Sequence, residues 1–345
     1  MIIPLFLMSI DQQVAKAGSP KPSRPVFIRS RFKPGQGYTP KPGAGSNKEK
    51  FEKEIEKPYA PVKQELQKKA TPTFGQKVRA TLKNTKNIAV NAFDNSVGYG
   101  IARYQNYQTR KILEKNPGID NKIVYMMHGL DQNIGSQWRL ARQARKDGKI
   151  AYHLRGNHGK GLDQSVDLAF KQIEDLHKRT KLKDVGKRND VYTGHSSGAN
   201  VGLYMATDER IKGYGINHVQ ARAPTPTGLK VKTWGQRLIT PIMDISAEDV
   251  TKELGRKNVL KLHARGKPHV PVYIVAGKYD NLVTPDMAAY KHAKGMHVID
   301  HKDSTHFGTS GVNDIMNRIF IDLINNTHKY ASIKKYFKPE YTTLH

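Results

Sequence analysis

The chain contains no cysteine. That excludes disulfides and every thiolate chemistry, from cysteine nucleophiles to cysteine-ligated zinc and iron–sulfur clusters. Long hydrophobic runs are missing too: nothing approaches the about 18 to 20 apolar residues of a membrane-spanning helix. Residues 1–10 (MIIPLFLMSI) are apolar but short, hold Pro4 and have no basic residue ahead of them. A secretory signal is therefore not expected. A cytoplasmic protein, at most associated with a membrane surface, is the expectation. Acid is scarce beside base: 30 Asp and Glu face 58 Lys and Arg, a formal net charge of +28. Such an excess attracts polyanions, either nucleic acid or an anionic membrane surface.

The base is densest at the front, where residues 1–110 hold 20 Lys and Arg against 7 Asp and Glu. Residues 1–86 read as a largely disordered arm. Stretches such as Pro20-Lys21-Pro22-Ser23-Arg24-Pro25 and Arg31-Phe32-Lys33-Pro34-Gly35 hold too few buriable side chains to offset ordering entropy. The arm is the expected docking element for an anionic membrane or nucleic acid. In residues 87–116 the pattern tightens. Val90, Phe93, Val97, Ile101 and Tyr104 recur at three- and four-residue steps, which predicts an amphipathic helix. Its apolar face is expected to pack on the following domain, with docking at a membrane surface as the alternative.

Residues 117–326 alternate apolar β-branched runs with helical periodicity. Strands are predicted near 122–127, 149–154, 191–193, 214–219, 271–276 and 296–300. Helices are predicted near 137–146, 162–179 and 312–324. Strand and helix in turn imply right-handed crossovers and a mostly parallel sheet with helices on both faces. Residues 222–269 fit no simple crossover and read as a small insertion, a lid or a packing element over the carboxyl edge of the sheet. Residues 327–345 form a basic aromatic tail.

One stretch carries chemistry. Val191-Tyr192-Thr193 leads into Gly194-His195-Ser196-Ser197-Gly198 and then into a small-residue helical segment. Strand, sharp turn, helix is the context in which G-x-S-x-G presents a serine hydroxyl above a sheet, with the next residue's N–H at a helix start facing a developing oxyanion. The spacing selects Ser196 as the nucleophile and leaves Ser197 to supply that N–H.

Around this elbow the chain resembles an α/β-hydrolase of the lipase and esterase type. His128-Gly129-Leu130 resembles the family's oxyanion loop, and Leu154-Arg155-Gly156-Asn157-His158-Gly159 the loop after its next strand. Asp280 lies in a G-x-x-D-x-x-V-x-P context where the family keeps its acid. His306, in Thr305-His306-Phe307-Gly308, matches the late catalytic histidine. The order Ser, Asp, His is the family's own. The resemblance covers about 60% of the chain. It implies a catalytic triad of Ser196, Asp280 and His306, an oxyanion hole from the N–H groups of Leu130 and Ser197, and hydrolysis of small acyl-ester or lipid substrates through an acyl-enzyme. A serine nucleophile argues against the branches that attack epoxides or carbon–halogen bonds, which use a carboxylate there. The family's usual strands ahead of the one at 122–127 are not evident in the arm, so the sheet is expected to begin near Lys122. No cofactor and no metal site are expected: His297 and His301 lie four apart on a strand, about 13 Å, too far for one ion. The alternatives are a polyanion-binding or scaffold protein on an inherited hydrolase fold, or an acyltransferase or thioesterase.

Overall fold

The computed structural model describes residues 60–70, 72–130, 132–156, 161–226 and 262–332. Six strands make one sheet: β1 (Ile123–Met127), β2 (Ile150–Leu154), β3 (Asp190–His195), β4 (Ile216–Arg222), β5 (Val272–Gly277) and β6 (Gly295–Ile299). Their order is β2-β1-β3-β4-β5-β6, and every pairing is parallel. The helices are α1 (Ala60–Ala70), α2 (Phe74–Lys115), α3 (Trp138–Lys146), α4 (Leu162–Thr180), α5 (Ser197–Ala206), α6 (Arg210–Gly213), α7 (Pro285–Ala288) and α8 (Asp314–Asn325).

Helices cover both faces of the sheet, which is why its strands read as continuous apolar runs. Alternation along β1 sorts the two cores. Ile123, Tyr125 and Met127 pack with Val166, Phe170 and Ile173 of α4 and Leu203 of α5. Val124 and Met126 pack with Leu140 and Ala144 of α3 and Phe320 and Ile324 of α8. The expected α/β class, parallel sheet and two-sided helix cover are all present. The strand predicted at 214–219 runs instead to Arg222, and the reason is a buried charge. Arg222 is fully buried, with Nε donating to Thr193 Oγ1 at 3.1 Å and a terminal nitrogen to the Thr309 carbonyl at 2.8 Å. Burial pulls its guanidinium down to about 9. The lid-like insertion falls mostly in residues 227–261, outside the described residues, as do residues 1–59 of the arm and 333–345 of the tail. The start of the tail is docked: Ala331 bridges Met296 of β6, and Tyr330 is buried.

The helix expected over 87–116 differs from its prediction in two ways. It begins at Phe74, so the expected boundary at residue 87 falls inside it. A capping box fixes that start: Thr73 Oγ1 accepts from the Gln76 N–H, and Gln76 Oε1 accepts from the Thr73 N–H. The face that packs is also the opposite one. Asn84, Asn87, Asn91, Asp94, Gly98, Ala102, Gln105, Thr109 and Leu113 are buried, at steps of three and four, while Phe93, Val97 and Tyr104 are exposed. The physical reason is the edge of the sheet. β2 is an edge strand, and its outer backbone groups need partners. Asn106 accepts from the His153 N–H at 2.8 Å and donates to the His153 carbonyl at 2.9 Å; Thr109 donates to the Ala151 carbonyl at 2.6 Å. A polar helix face does here what another strand would do, and an apolar one could not.

Asn106→Ala leaves a donor and an acceptor of β2 unpaired beneath the helix. It is expected to destabilise the protein by about 1–3 kcal/mol in urea unfolding. Tyr107→Ala, one residue on and half exposed, should stay within about 0.5 kcal/mol.

Candidate active site

From β1 the chain passes to β2 on one side and then to β3 on the other. The crevice between the carboxyl ends of β1 and β3 is therefore a topological switch point, where open α/β sheets bind ligands. His128-Gly129-Leu130 follows β1 directly, and Ser196 follows β3 directly. Asp280 lies three residues past β5, and His306 seven past β6. All the sequence-predicted site residues thus share one edge of the sheet.

Ser196 is the N-cap of α5, with φ 53° and ψ −117°. A non-glycine residue at positive φ costs on the order of 1–3 kcal/mol and persists only where the surroundings enforce it. Here the enforcement is visible. The Ser196 N–H donates to the Arg222 carbonyl at 2.9 Å, and its carbonyl accepts from the N–H groups of Ala199 and Asn200. The turn also needs its glycines: a Cβ on Gly194 would overlap the Gly198 carbonyl oxygen, and one on Gly198 the His128 carbonyl oxygen. The Tyr192 hydroxyl donates to the Gly198 carbonyl at 2.7 Å, tying strand to helix. Ser197 opens α5, so its N–H stands at the positive end of the helix dipole.

Asp280 and His306 form a buried pair, Nδ1 to Oδ2 at 2.9 Å, with the Asp280 side chain at 0% exposure. The other carboxylate oxygen accepts from the N–H groups of Leu282 and Val283 at 2.9 and 2.8 Å. Each oxygen of Asp280 thus has its own task. The His306 ring lies 4.7 Å from the ring of His195, the residue beside Ser196, and His195 Nε2 donates to the His306 carbonyl at 3.0 Å. Burial drives His195 well below the usual histidine range, so it stays neutral. Two other carboxylates on the approach to His306 are engaged elsewhere. Asp303 faces His301 and Lys83, and Asp300 binds Lys278 and Tyr279. Asp244 and Asp249 lie outside the described residues.

The loop after β1 is held in place by side chains that the sequence did not mark. The Gly129 N–H donates to Gln132 Oε1 at 2.8 Å, and Gln132 Nε2 donates to Asn91 Oδ1 of α2 at 2.8 Å. A Cβ on Gly129 would sit 3.2 Å from Ser196 Cβ, which places this loop directly over the serine. His128 accepts from the Gly156 N–H at Nε2 and so carries its proton at Nδ1, toward the Gly129 carbonyl. The same helix reaches the histidine loop: Asn87 Nδ2 donates to Thr305 Oγ1 at 3.1 Å. One signal pointed this way, the run Asn84, Asn87, Asn91, Asn95 at helical spacing.

Among the described residues no group of three or more His, Cys, Asp or Glu is placed to hold a metal ion. His297 packs edge-on against Tyr330, and His301 faces Asp303. His158 lies outside the described residues.

No protein-family model and no curated protein sequence matches the chain. Solved structures do. An arylesterase is 13% identical with a TM-score of 0.46, over 61% of this chain and 76% of its own. An esterase of Pyrobaculum calidifontis is 13% identical with a TM-score of 0.44, over 68% and 94%. A monoacylglycerol lipase of Paleococcus ferrophilus is 14% identical with a TM-score of 0.44, over 60% and 95%. The chain's own topology defines its class. A parallel sheet covered on both faces, a strained serine between β3 and α5, an acid after β5 and a histidine after β6 make this an α/β-hydrolase fold.

Proposed function

We propose that the chain is a serine hydrolase that cleaves carboxylic esters through an acyl-enzyme. The observation that carries this reading is the buried Asp280–His306 pair on the same sheet edge as the strained Ser196. Asp280 fixes the proton of His306 on Nδ1, which leaves Nε2 with a lone pair directed away from the acid. Nε2 takes the Ser196 proton as Oγ attacks the ester carbonyl carbon. The carbonyl oxygen becomes an oxyanion, and the N–H groups of Leu130 and Ser197 stabilise it. The tetrahedral adduct then collapses: the ester C–O bond breaks, and imidazolium gives its proton to the departing alkoxide. Water repeats the sequence on the acyl-Ser196 ester, with His306 as base, and releases the acid. The reading uses no cofactor.

A fluorophosphonate probe tests it on the full chain. The phosphorus forms a bond to a serine activated in this way and expels fluoride. Peptide mapping should find one adduct, on Ser196. An adduct on Ser197 instead would move the nucleophile by one residue, and no adduct at all would remove the hydrolase reading.

A further inference from the structure

The helix α2 has two faces of unlike chemistry. Its buried side holds the loops of the active site and the edge of β2. Its outer side is apolar and in solvent: Leu82, Phe93, Val97 and Tyr104 are 69%, 55%, 51% and 59% exposed, and Phe74 and Val78 extend the row toward the helix start. From Phe74 to Tyr104 the row is about 45 Å long at 1.5 Å per residue. Isolated apolar residues are ordinary on a surface, but two exposed apolar groups on one helix face, Phe74, Val78 and Leu82 and then Phe93, Val97 and Tyr104, mark an interaction site. Arg79 and Arg103 are exposed at its margins, and Lys86 is exposed within it, between Leu82 and Phe93. The helix holds eight Lys and Arg against two acids. Of the acids, Asp94 is buried against Arg139, and Glu114 is paired with Lys111. The outer face therefore combines exposed apolar side chains with a net positive charge.

We propose that this face docks the protein on an anionic lipid bilayer, with α2 lying in the plane of the interface. Apolar side chains enter the boundary between headgroups and acyl chains, while the exposed bases meet anionic headgroups. The same features disfavour other occupants. A second copy would bring two positive faces together. Residues 1–59 of the chain itself carry 11 Lys and Arg against 5 Asp and Glu, a net charge of the same sign as this face. Nucleic acid would use the bases and the rings of Phe93 and Tyr104 but would leave Leu82 and Val97 without an apolar partner. The helix lies on the membrane; no helix of the described residues is long and apolar enough to cross one.

The test is independent of the triad, because binding is read without turnover. The full chain is mixed with phosphatidylglycerol or phosphatidylcholine vesicles and sedimented. Binding is expected on phosphatidylglycerol. In the triple variant Leu82→Ser, Phe93→Ser, Val97→Ser it should weaken about tenfold or more, as burial of three apolar side chains is lost. A basic arm acting alone would leave that variant's binding unchanged, and this result would overturn the proposal. Insertion is read separately with Phe93→Trp, a variant that keeps the ring and the fold. Its added indole emission should be quenched by brominated phosphatidylglycerol beyond any quenching of the native chain. Unquenched emission also overturns the proposal. So does a triple variant that binds vesicles as the native chain does but loses a dimer or loses affinity for an oligonucleotide. Those outcomes would assign the face to a second copy or to nucleic acid.

Discussion

Ser196→Ala is expected to lower kcat for a soluble p-nitrophenyl ester by about 10⁶ and to abolish fluorophosphonate labelling. Removing the nucleophile of a Ser-His-Asp unit costs on that order, because the other members then have nothing to activate. What survives is the oxyanion hole and substrate binding, which together keep about 10³–10⁴ over water. Ser197→Ala should keep both labelling and turnover, since the group assigned to Ser197 is its backbone N–H and alanine has the same one. The backbone supplies a second readout. Ser196 sits at φ 53°, a conformation in which alanine is strained as serine is. Glycine is not. Ser196→Gly should be as inactive as Ser196→Ala yet more stable than it in urea by about 1 kcal/mol. A serine held at a cost in stability that vanishes with glycine is a serine held for its chemistry. Equal stability of the two variants would mean that the turn is not strained. Normal turnover by Ser196→Ala would place the nucleophile elsewhere.

The strands of this protein were legible because both faces of the sheet are buried. Runs such as Ile123–Met127 and Val272–Gly277 contain no polar interruption, and a continuous apolar run between turn signals has few other readings. The elbow was legible for a different reason: Gly194 and Gly198 are required where strand and helix cross at backbone distance, so the turn leaves a mark in residue types. Asp280 and His306 stand out through the resemblance of their surroundings to the family's motifs, and each lies a few residues past the end of a strand. What sequence patterning inverted was α2. Its apolar residues follow helical spacing as a packed face should, and its polar residues look like a solvated one. The edge of β2 reverses the assignment, since unpaired N–H and C=O groups need Asn and Thr, not Val and Phe. Periodicity reports that a helix has two faces; it does not report which one the neighbouring surface demands.

That inversion bears on the site. Asn87 reaches the loop after β6 at Thr305, and Asn91 reaches the loop after β1 through Gln132, from positions one helical turn apart. Gly98 lets the helix approach Trp138 and the backbone at Gly135, and Trp138 and Arg139 both bind Asp94. No segment of a hydrolase motif contains these residues. Asn87, Asn91, Asp94 and Gly98 belong to a helix that stands where the sheet has no further strand, and that position gives it contact with the loops after β1 and β6 at once.

Asp280→Asn is expected to lower kcat about 10⁴-fold while leaving KM and the urea midpoint nearly unchanged, and the hydrogen bonds around the carboxylate say why. One oxygen accepts from two backbone N–H groups, those of Leu282 and Val283. In the asparagine variant only the amide oxygen can take that place, because the amide nitrogen is itself a donor. The NH₂ group is then forced to face His306 Nδ1, where the carboxylate oxygen stood at 2.9 Å. Nδ1 must turn acceptor, so the imidazole proton moves to Nε2. The base that should receive the Ser196 proton already carries one, and this wrong tautomer accounts for a loss of about 10⁴. Size and shape are preserved, which keeps the fold. Asp303→Asn is the matched comparison, a second buried carboxylate close to the same loop whose neighbours are His301 and Lys83. It should leave kcat within a few-fold of the native value, about 1 kcal/mol or less in barrier. Full activity in Asp280→Asn together with loss in Asp303→Asn would assign the acid to the loop after β6 and detach Asp280 from the mechanism.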